Sequence, residues 1–414
     1  MAASALSGPI PSSLLSKCDR LADIRNEPFR VLRLPSSCSE ASLRLNVYVG
    51  MGRSVGIHCL AADRQQGPAT HRNVSTTSDL NSEEQEDCVA KSNIGISWTD
   101  EAMNSLVGCQ ECSRGCDSCY ARMRNYRFSK CSGTNHDNRY SDLVEIARTP
   151  GSRAGAEEAK ERKRFTGRIL FNPAKMYAFL RNNAPGNLVF VDEFSDLLHN
   201  AVPMEVILEH FRVFRGVPWL QFQVLTKRAH RLKELNDALM KEFGEWPQNV
   251  WMGVSVCTQA KGELNKIAAL EKTQARIKWV SFEPWISDPK IALEEACPNL
   301  TGLLADSGIA WSVIGGESGS KKDSRLMTIE DAQYLFSSSK QAGCSLHFKQ
   351  LGAQLAIKLG VYGVGDHRGK GGNLNQIPRK LRVRDWPENI TWDVPEGNLD
   401  FEPRFDPEKW IKFG

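Results

Sequence analysis

At 414 residues, 41% hydrophobic and 25% charged, the chain is long enough for one large domain or two ordinary ones with a substantial core. No apolar run approaches the roughly 20 residues needed to span a bilayer, which argues against a transmembrane helix and a membrane partner. A net charge of +4 names no nucleic-acid partner unless the positive residues cluster.

In chain order, the first element is a leader. "MAASALSGPIPSSLLSKCDRL" opens with small and hydroxylated residues, and the stretch to Cys59 carries Arg20, Arg25, Arg30, Arg33, Arg44 and Arg53 against few acids. This composition lacks the compact apolar core of a secretory signal and predicts an organellar transit peptide over residues 1–62. The Met-Ala-Ala start resembles plastid leaders, so the chloroplast is the expected destination. The mitochondrion, or a tail with no address, is the alternative. "SVGIHCLAAD" (Ser54–Asp63) has the look of a processing site. Residues 63–90, including "NVSTTSDLNSEEQED", are too polar to bury a core and predict a disordered linker.

From residue 91 to 352, short β-prone runs alternate with helical patterns. The runs are Ile94–Trp98, Arg168–Phe171, Leu188–Glu193, Trp219–Leu225, Val250–Val256, Ile277–Glu283, Trp311–Glu317 and Leu346–Gln350. Between them, "PMEVILEHFRVF", "AHRLKELNDALMKEF", "QAKGELNKIAALEK" and "TIEDAQYLFSSSKQAG" read as helices. In the second of these, Leu232, Leu235, Leu239 and Met240 recur at helical spacing, and Gly343 marks the stop of the last. Strands alternating with single helices imply βαβ units and a parallel sheet. Eight such units predict an α/β (β/α)8 TIM-type barrel, closed or incompletely closed, over an open doubly wound sheet. Residues 353–414 are expected to pack on the barrel or cover its mouth, and "GVGDHRGKGG" (Gly363–Gly372) reads as a loop.

In such barrels the chemistry collects at the C-terminal ends of the strands. Here those ends carry Asp192, Glu193 and Asp196, then Lys227 and Arg228, Cys257, Glu283, the Gly315-Gly316-Glu317 turn, and Lys349 with Gln350. Each has an ordinary structural role open to it, such as a cap, a turn or a salt bridge of Glu283 with Lys227 or Lys349. A polar residue at nearly every strand end points to one functional mouth. Lys227, Arg228 and Cys257 are the candidate catalytic residues, the first two able to grip a phosphate or carboxylate. Asp196, Glu283, Gly315, Gly316, Glu317 and Lys349 are the candidate cofactor-binding residues. His199, three positions after Asp196, could share that site, although a lone histidine is more often structural.

"VGCQECSRGCDSCYARMRNYR" (Val107–Arg127) follows the first expected strand. Its Cys109, Cys112, Cys116 and Cys119 are too close together for an ordinary zinc site, whose two ligand pairs are usually a dozen or more residues apart. Zinc nonetheless stays open as the alternative metal. Disulfides do not suit a large chain bound for a reducing compartment. Densely spaced cysteines on one loop suit a [4Fe–4S] cluster. The basic, aromatic run that follows, with Arg122, Arg124, Arg127 and Lys130, could form a nucleic-acid surface, although a solvated basic helix is the commoner explanation.

Two resemblances sharpen the cysteine motif. Cys112-x3-Cys116-x2-Cys119 is similar to the ligand spacing of radical S-adenosylmethionine (SAM) enzymes, apart from Ser118 where those enzymes usually carry an aromatic residue. The resemblance implies three thiolates on three irons and a fourth iron open to the amino and carboxylate groups of SAM. It also implies one-electron cleavage to a 5′-deoxyadenosyl radical and an electron donor such as ferredoxin. More extensively, "ISWTDEAMNSLVGCQECSRGCDSCYARM", "VDEFSDLLHNAVP", "FQVLTKR", "VWMGVSV", "VSFEP", "VIGGESG" and "HFKQLG" resemble, in order, a bacteriophage-associated family of three-cysteine-motif, radical-SAM-like proteins. That family's first cysteine maps to Cys109, followed by Cys116 and Cys119, so Cys112 becomes a substitute or fourth ligand. Cys257 stands where the family usually has an acid, and "VDEFSDLLH" is more acidic than its counterpart. The expectation is an iron–sulfur, radical-SAM-like enzyme of unassigned substrate. The alternative is a cluster- or zinc-stabilised binding protein without catalysis, for nucleic acid among other partners.

Overall fold

The chain divides into two compact units, Met1–Asp79 and Leu80–Gly414. The computed structural model describes residues 45–49, 55–59, 95–130, 138–148, 161–181, 185–364, 369–388, 390 and 401–414. In the first unit these form an antiparallel hairpin of β1 (Leu45–Val49) and β2 (Val55–Cys59). The remainder of the expected leader and linker lies outside the described residues, as do Cys131 and the side chain of Lys130.

In the second unit the strands are β3 (Glu101–Met103), β4 (Leu106–Val107), β5 (Val144–Arg148), β6 (Glu161–Phe165), β7 (Ile169–Phe171) and β8 (Leu188–Val191). They continue with β9 (Gln221–Thr226), β10 (Val250–Ser255), β11 (Ile277–Trp285), β12 (Ile309–Gly316), β13 (Ser345–Gln350) and β14 (Ile411–Phe413). Seven of them form one parallel sheet in the order β13-β12-β11-β10-β9-β8-β3. Strand β10 is buried along its whole length, as expected of a strand covered on both faces. Helices Met204–Gly216, Leu232–Phe243, Lys261–Ala269 and Ile329–Gln341 form where the periodicity places them. Gly343, at φ +79°, takes the left-handed conformation that ends the last helix. Among the described residues, no helix is long and apolar enough to cross a membrane.

The sheet is an open, curled half-barrel, and its edge strands β3 and β13 do not pair. This corrects the expectation of an eight-stranded (β/α)8 barrel, and two of the eight β-prone runs account for the difference. Arg168–Phe171 supplies β7, which pairs antiparallel with β4 and β14 in a separate three-stranded sheet. In the run Ile94–Trp98, the described residues 95–98 contain no strand. They fill the seam instead. Ser97 Oγ lies 2.8 Å from His347 Nε2 of β13, and the Trp98 carbonyl accepts hydrogen bonds from Gln223 Nε2 (3.2 Å) and Trp386 Nε1 (3.3 Å). The outer edge of β13 is met by Val383 and Asp385, through Phe348 N to Val383 O (2.8 Å) and Asp385 N to Leu346 O (2.7 Å). β-propensity reports fit to a pleated, half-buried surface and carries no information about pairing direction, so both runs could be read as parallel strands.

The two faces of the sheet bury different things. The helix-covered face packs aliphatic and Phe side chains, with Phe222, Val224, Val254, Val280, Phe282 and Ile314 in one cluster with the helices. The concave face is filled by indoles, Trp98, Trp251, Trp279 and Trp311, with neighbouring rings 5.2–6.0 Å apart. Gly253 makes room for one of them, since a Cβ there would fall on the Trp279 ring. Above the indoles, small Ser255 and Ser281 leave space at the C-terminal mouth. That space is the site.

Candidate metal centre at the mouth of the half-barrel

A cavity of about 170 Å³ opens at the C-terminal ends of the parallel strands. Its wall includes all four clustered cysteines, together with Asp192, Glu193 and Asp196 after β8 and Thr226–Arg228 at the end of β9. Glu283, Gly316, Glu317, Lys349 and Gln350 complete the wall from β11, β12 and β13. The structure thus brings together most of the strand-end residues singled out in the sequence. Cys257 and Gly315 lie beside this wall rather than on it. Cys257 is fully buried behind the cysteine loop, and a Cβ added to Gly115 would fall on its Sγ.

The four thiols are not equivalent. Cys116 is buried, Cys109 and Cys119 are half-buried, and Cys112 is exposed. Arg228 brings two nitrogens within 3.9 Å of Cys109 Sγ and donates to the Gln110 carbonyl at 2.9 Å. Burial pushes the Cys109 thiol up to about 12, against the pull of Arg228. Cys116 is held low by the hydrogen bond from Cys112, with Lys227 and Ser113 adding to the effect against burial, and Cys112 is correspondingly raised. Burial works against the charge of Lys227, but the sulfurs of Cys257, Cys116, Cys119 and Cys112 outweigh it and raise its pKa. Cations facing thiols favour thiolates, the form in which cysteine binds metal.

The cysteine loop is gripped by arginines from three directions. Arg122, on the helix Tyr120–Lys130, donates to the Cys116 carbonyl (3.2 Å), the Asp117 carbonyl (2.6 Å) and Glu111 (2.5 Å). It is buried, so it does not belong to the suggested nucleic-acid surface, whereas Arg124 and Arg127 are exposed. On the β5–β6 hairpin, Arg162 pairs with Asp117 (3.3 Å) and Arg164 with Glu111 (3.6 Å). From the far side of the sheet, Arg325 reaches the Arg114 carbonyl (2.8 Å) and Asp117 Oδ2 (2.9 Å). The carboxylate of Glu317 is taken up by the same Arg325, through its N (2.8 Å), Nε (2.9 Å) and Nη2 (2.5 Å).

The remaining groups divide into paired and unpaired. Asp196 accepts from Arg228 Nη1 (2.8 Å), Thr226 Oγ1 (2.8 Å), Lys227 N (3.1 Å) and Leu198 N (3.0 Å). Burial works against this carboxylate, but Arg228 and the other donors hold it below its ordinary range. Glu283 pairs with Lys349 at 2.6 Å. Gly316 is required by close approach, because a Cβ there would meet the Leu351 carbonyl. His199 shares a turn with Asp196 and accepts from Ala201 N (3.1 Å), a structural arrangement outside the cavity wall. Asp192 is buried in a left-handed conformation (φ +54°), with Oδ1 bonded to Leu106 N (2.8 Å) and Ser105 Oγ (3.1 Å) and Oδ2 without a hydrogen-bond partner. Burial pushes it up to about 7, and Glu193 beside it likewise.

Among the described residues, no three His, Cys, Asp or Glu side chains converge as a ready chelate for a metal ion. Thiols on one loop with cations beside them are donors suited to a [4Fe–4S] cluster and to zinc alike. Arg325, Arg122 and Asp192 are site residues that sequence reasoning did not assign these roles. Arg325 lies eight positions beyond Glu317 in a polar loop, and nothing in the pattern says that it folds back.

No curated protein and no solved structure matches the chain. A family profile, described as "Protein of unknown function (DUF5131)", matches residues 93–389, which covers the whole parallel sheet and the cysteine loop and is well over half of the chain. The chain therefore belongs to this family of unknown function.

Proposed function

We propose that the protein is an iron–sulfur, radical-SAM-like enzyme whose [4Fe–4S] cluster would be held by Cys109, Cys116 and Cys119. The observation that carries this reading is the placement of all four thiols on one cavity wall with Lys227 and Arg228 beside them, Cys112 being the most exposed of the four. The resemblance to three-cysteine-motif proteins supports the same ligand set. When bound, such a cluster supplies one electron to the sulfonium of SAM.

The chain's own residues would prepare that step. Lys227 and Arg228 offset the negative charge of the thiolates. The Glu283–Lys349 pair presents one acid and one cation at the mouth, a match for the amino and carboxylate groups of SAM or substrate. The indole-packed floor excludes water from below. An electron donor such as ferredoxin, a chloroplast location and a nucleic-acid surface at Arg124 and Arg127 belong to the proposal, and the substrate is unassigned.

Anaerobic purification and reconstitution, with iron and sulfide analysis and spectra with and without SAM, tests this. A [4Fe–4S] content of iron and sulfide, a spectrum perturbed by SAM and formation of 5′-deoxyadenosine are expected. A colourless protein that binds only zinc would falsify it. A cluster blind to SAM would support the non-catalytic reading, in which Cys112 completes four-thiolate ligation.

A further inference from the structure

We infer that Arg325 is a positioning residue that latches the turn carrying Cys116, and that Glu317 serves as the anchor of this latch. The inference rests on the cysteine loop being the working element of the site, and does not depend on which metal it holds.

The turn Arg114–Cys116 is a short 3-10 segment. A helix this short brings little stability of its own, so its position must be set by outside contacts. Arg122 and Arg162 hold it from elements 6 and 45 positions further along the chain. Arg325 holds it from beyond the end of β12, 211 positions from Arg114 and 208 from Asp117. Its contacts at Arg114 and Asp117 bracket Cys116. Glu317 is 3% exposed and directly follows β12, so it is a fixed point. It binds the backbone N, Nε and Nη2 of Arg325, which leaves Nη1 aimed at the loop. The Ser320–Asp323 turn (2.7 Å) shapes the intervening chain. A planar five-donor fork spans both ends with separate nitrogens in a fixed geometry, which the three donors of a lysine ammonium, all on one atom, do not reproduce.

The consequence is control of access to Cys116, whose buried position depends on the turn staying seated. Charge-assisted hydrogen bonds of this kind suppress local opening by roughly 10- to 100-fold. Alkylation of the metal-free, reduced full-length protein, followed residue by residue by mass spectrometry, reads this directly. In Arg325→Lys, Cys116 should react about tenfold faster or more, although the charge is kept. Cys344, buried in the main core, should be unchanged and controls for global loosening. Asp117→Asn leaves the Glu317–Arg325 pair intact at a half-exposed position and should give a smaller acceleration in the same direction.

Unchanged Cys116 rates in both variants overturn the latch. So does an equal acceleration of Cys344, because opening is then global. Iron content separates this from the proposed function. A wild-type protein that holds no iron but shows the selective rate change keeps the latch and removes the iron–sulfur reading. Normal iron loading with unchanged rates does the reverse.

Discussion

Gly115→Ala should disorganise the cysteine loop by collision rather than by backbone strain. An added Cβ would fall on Cys257 Sγ, lie 3.1 Å from Cys257 Cβ, and sit 3.5 Å from Ser113 Oγ. Cys257 has nowhere to go. It is fully buried, its N–H donates to Glu263 Oε2 at 2.9 Å and its carbonyl accepts from Ile286 N at 2.9 Å. The loop must therefore yield, at a cost of about 1–3 kcal/mol, the usual range for overpacking a filled site. Cys257→Ala alone removes one buried sulfur and should cost on the order of 1 kcal/mol. In the double variant the methyl added at Gly115 occupies the vacated sulfur position, so the two costs should not add. A coupling of about 1–2 kcal/mol in favour of the double variant is expected. Urea denaturation of the reduced, metal-free protein measures it, with residue-resolved alkylation of Cys116 reporting whether the loop has moved. A double variant whose destabilisation equals the sum of the singles would refute the reasoning, because it would mean that Gly115 is not seated on Cys257.

Three further outcomes follow from the same geometry. Cys109→Ala should abolish iron binding while Cys112→Ala retains most of it, because Cys112 is the exposed thiol and Cys109 is the one beside Arg228; iron analysis after reconstitution decides between them. Arg228→Gln should destabilise the fold by about 3–5 kcal/mol, since it leaves the Asp196 carboxylate buried without its counter-charge, and restoring stability with a second change, Asp196→Asn, should show in the urea midpoint. Asp192→Asn should stabilise the protein by an amount that grows as pH rises. The folded pKa of Asp192, raised to about 7, lies above its unfolded value, so its contribution is unfavourable and increases from about pH 4 to about pH 7, with an upper limit of about 4 kcal/mol. His210, facing Asp192 at 4.0 Å and lowered to about 4 by burial, loses stability in the opposite direction as pH falls below 6.5. The difference between variant and wild type at each pH reads Asp192 together with any change it makes to His210, since Ser105 Oγ contacts both. A difference that stays flat across that window would contradict the assignment.

Much of the frame was legible from local pattern alone. The β-prone runs from Leu188 onward became parallel strands in sequence order, because runs buried on both faces read as continuous apolar segments. The intervening helices were legible from helical periodicity and, at Gly343, from a left-handed stop. Strand ends on one edge of a parallel sheet must share a mouth, so Asp196, Lys227, Glu283, Glu317 and Lys349 were legible as neighbours. Barrel closure was not. Whether Ile169–Phe171 pairs parallel or antiparallel depends on partners at Leu106 and Ile411, which lie far before it and far after it in the chain.

By itself, the sequence determined what is local: the strand–helix alternation, the four-cysteine loop with its spacing, and the polar residue at each strand end. Only the tertiary structure decided what depends on long-range contact. It left the sheet open, with Ser97 and Trp98 in the seam, and bound Glu317 to Arg325 instead of leaving it free for a ligand. It also made Cys112 the exposed thiol of the four. These outcomes rest on side chains that meet across long stretches of chain, and the periodicity and spacing of a single chain carry no record of such meetings.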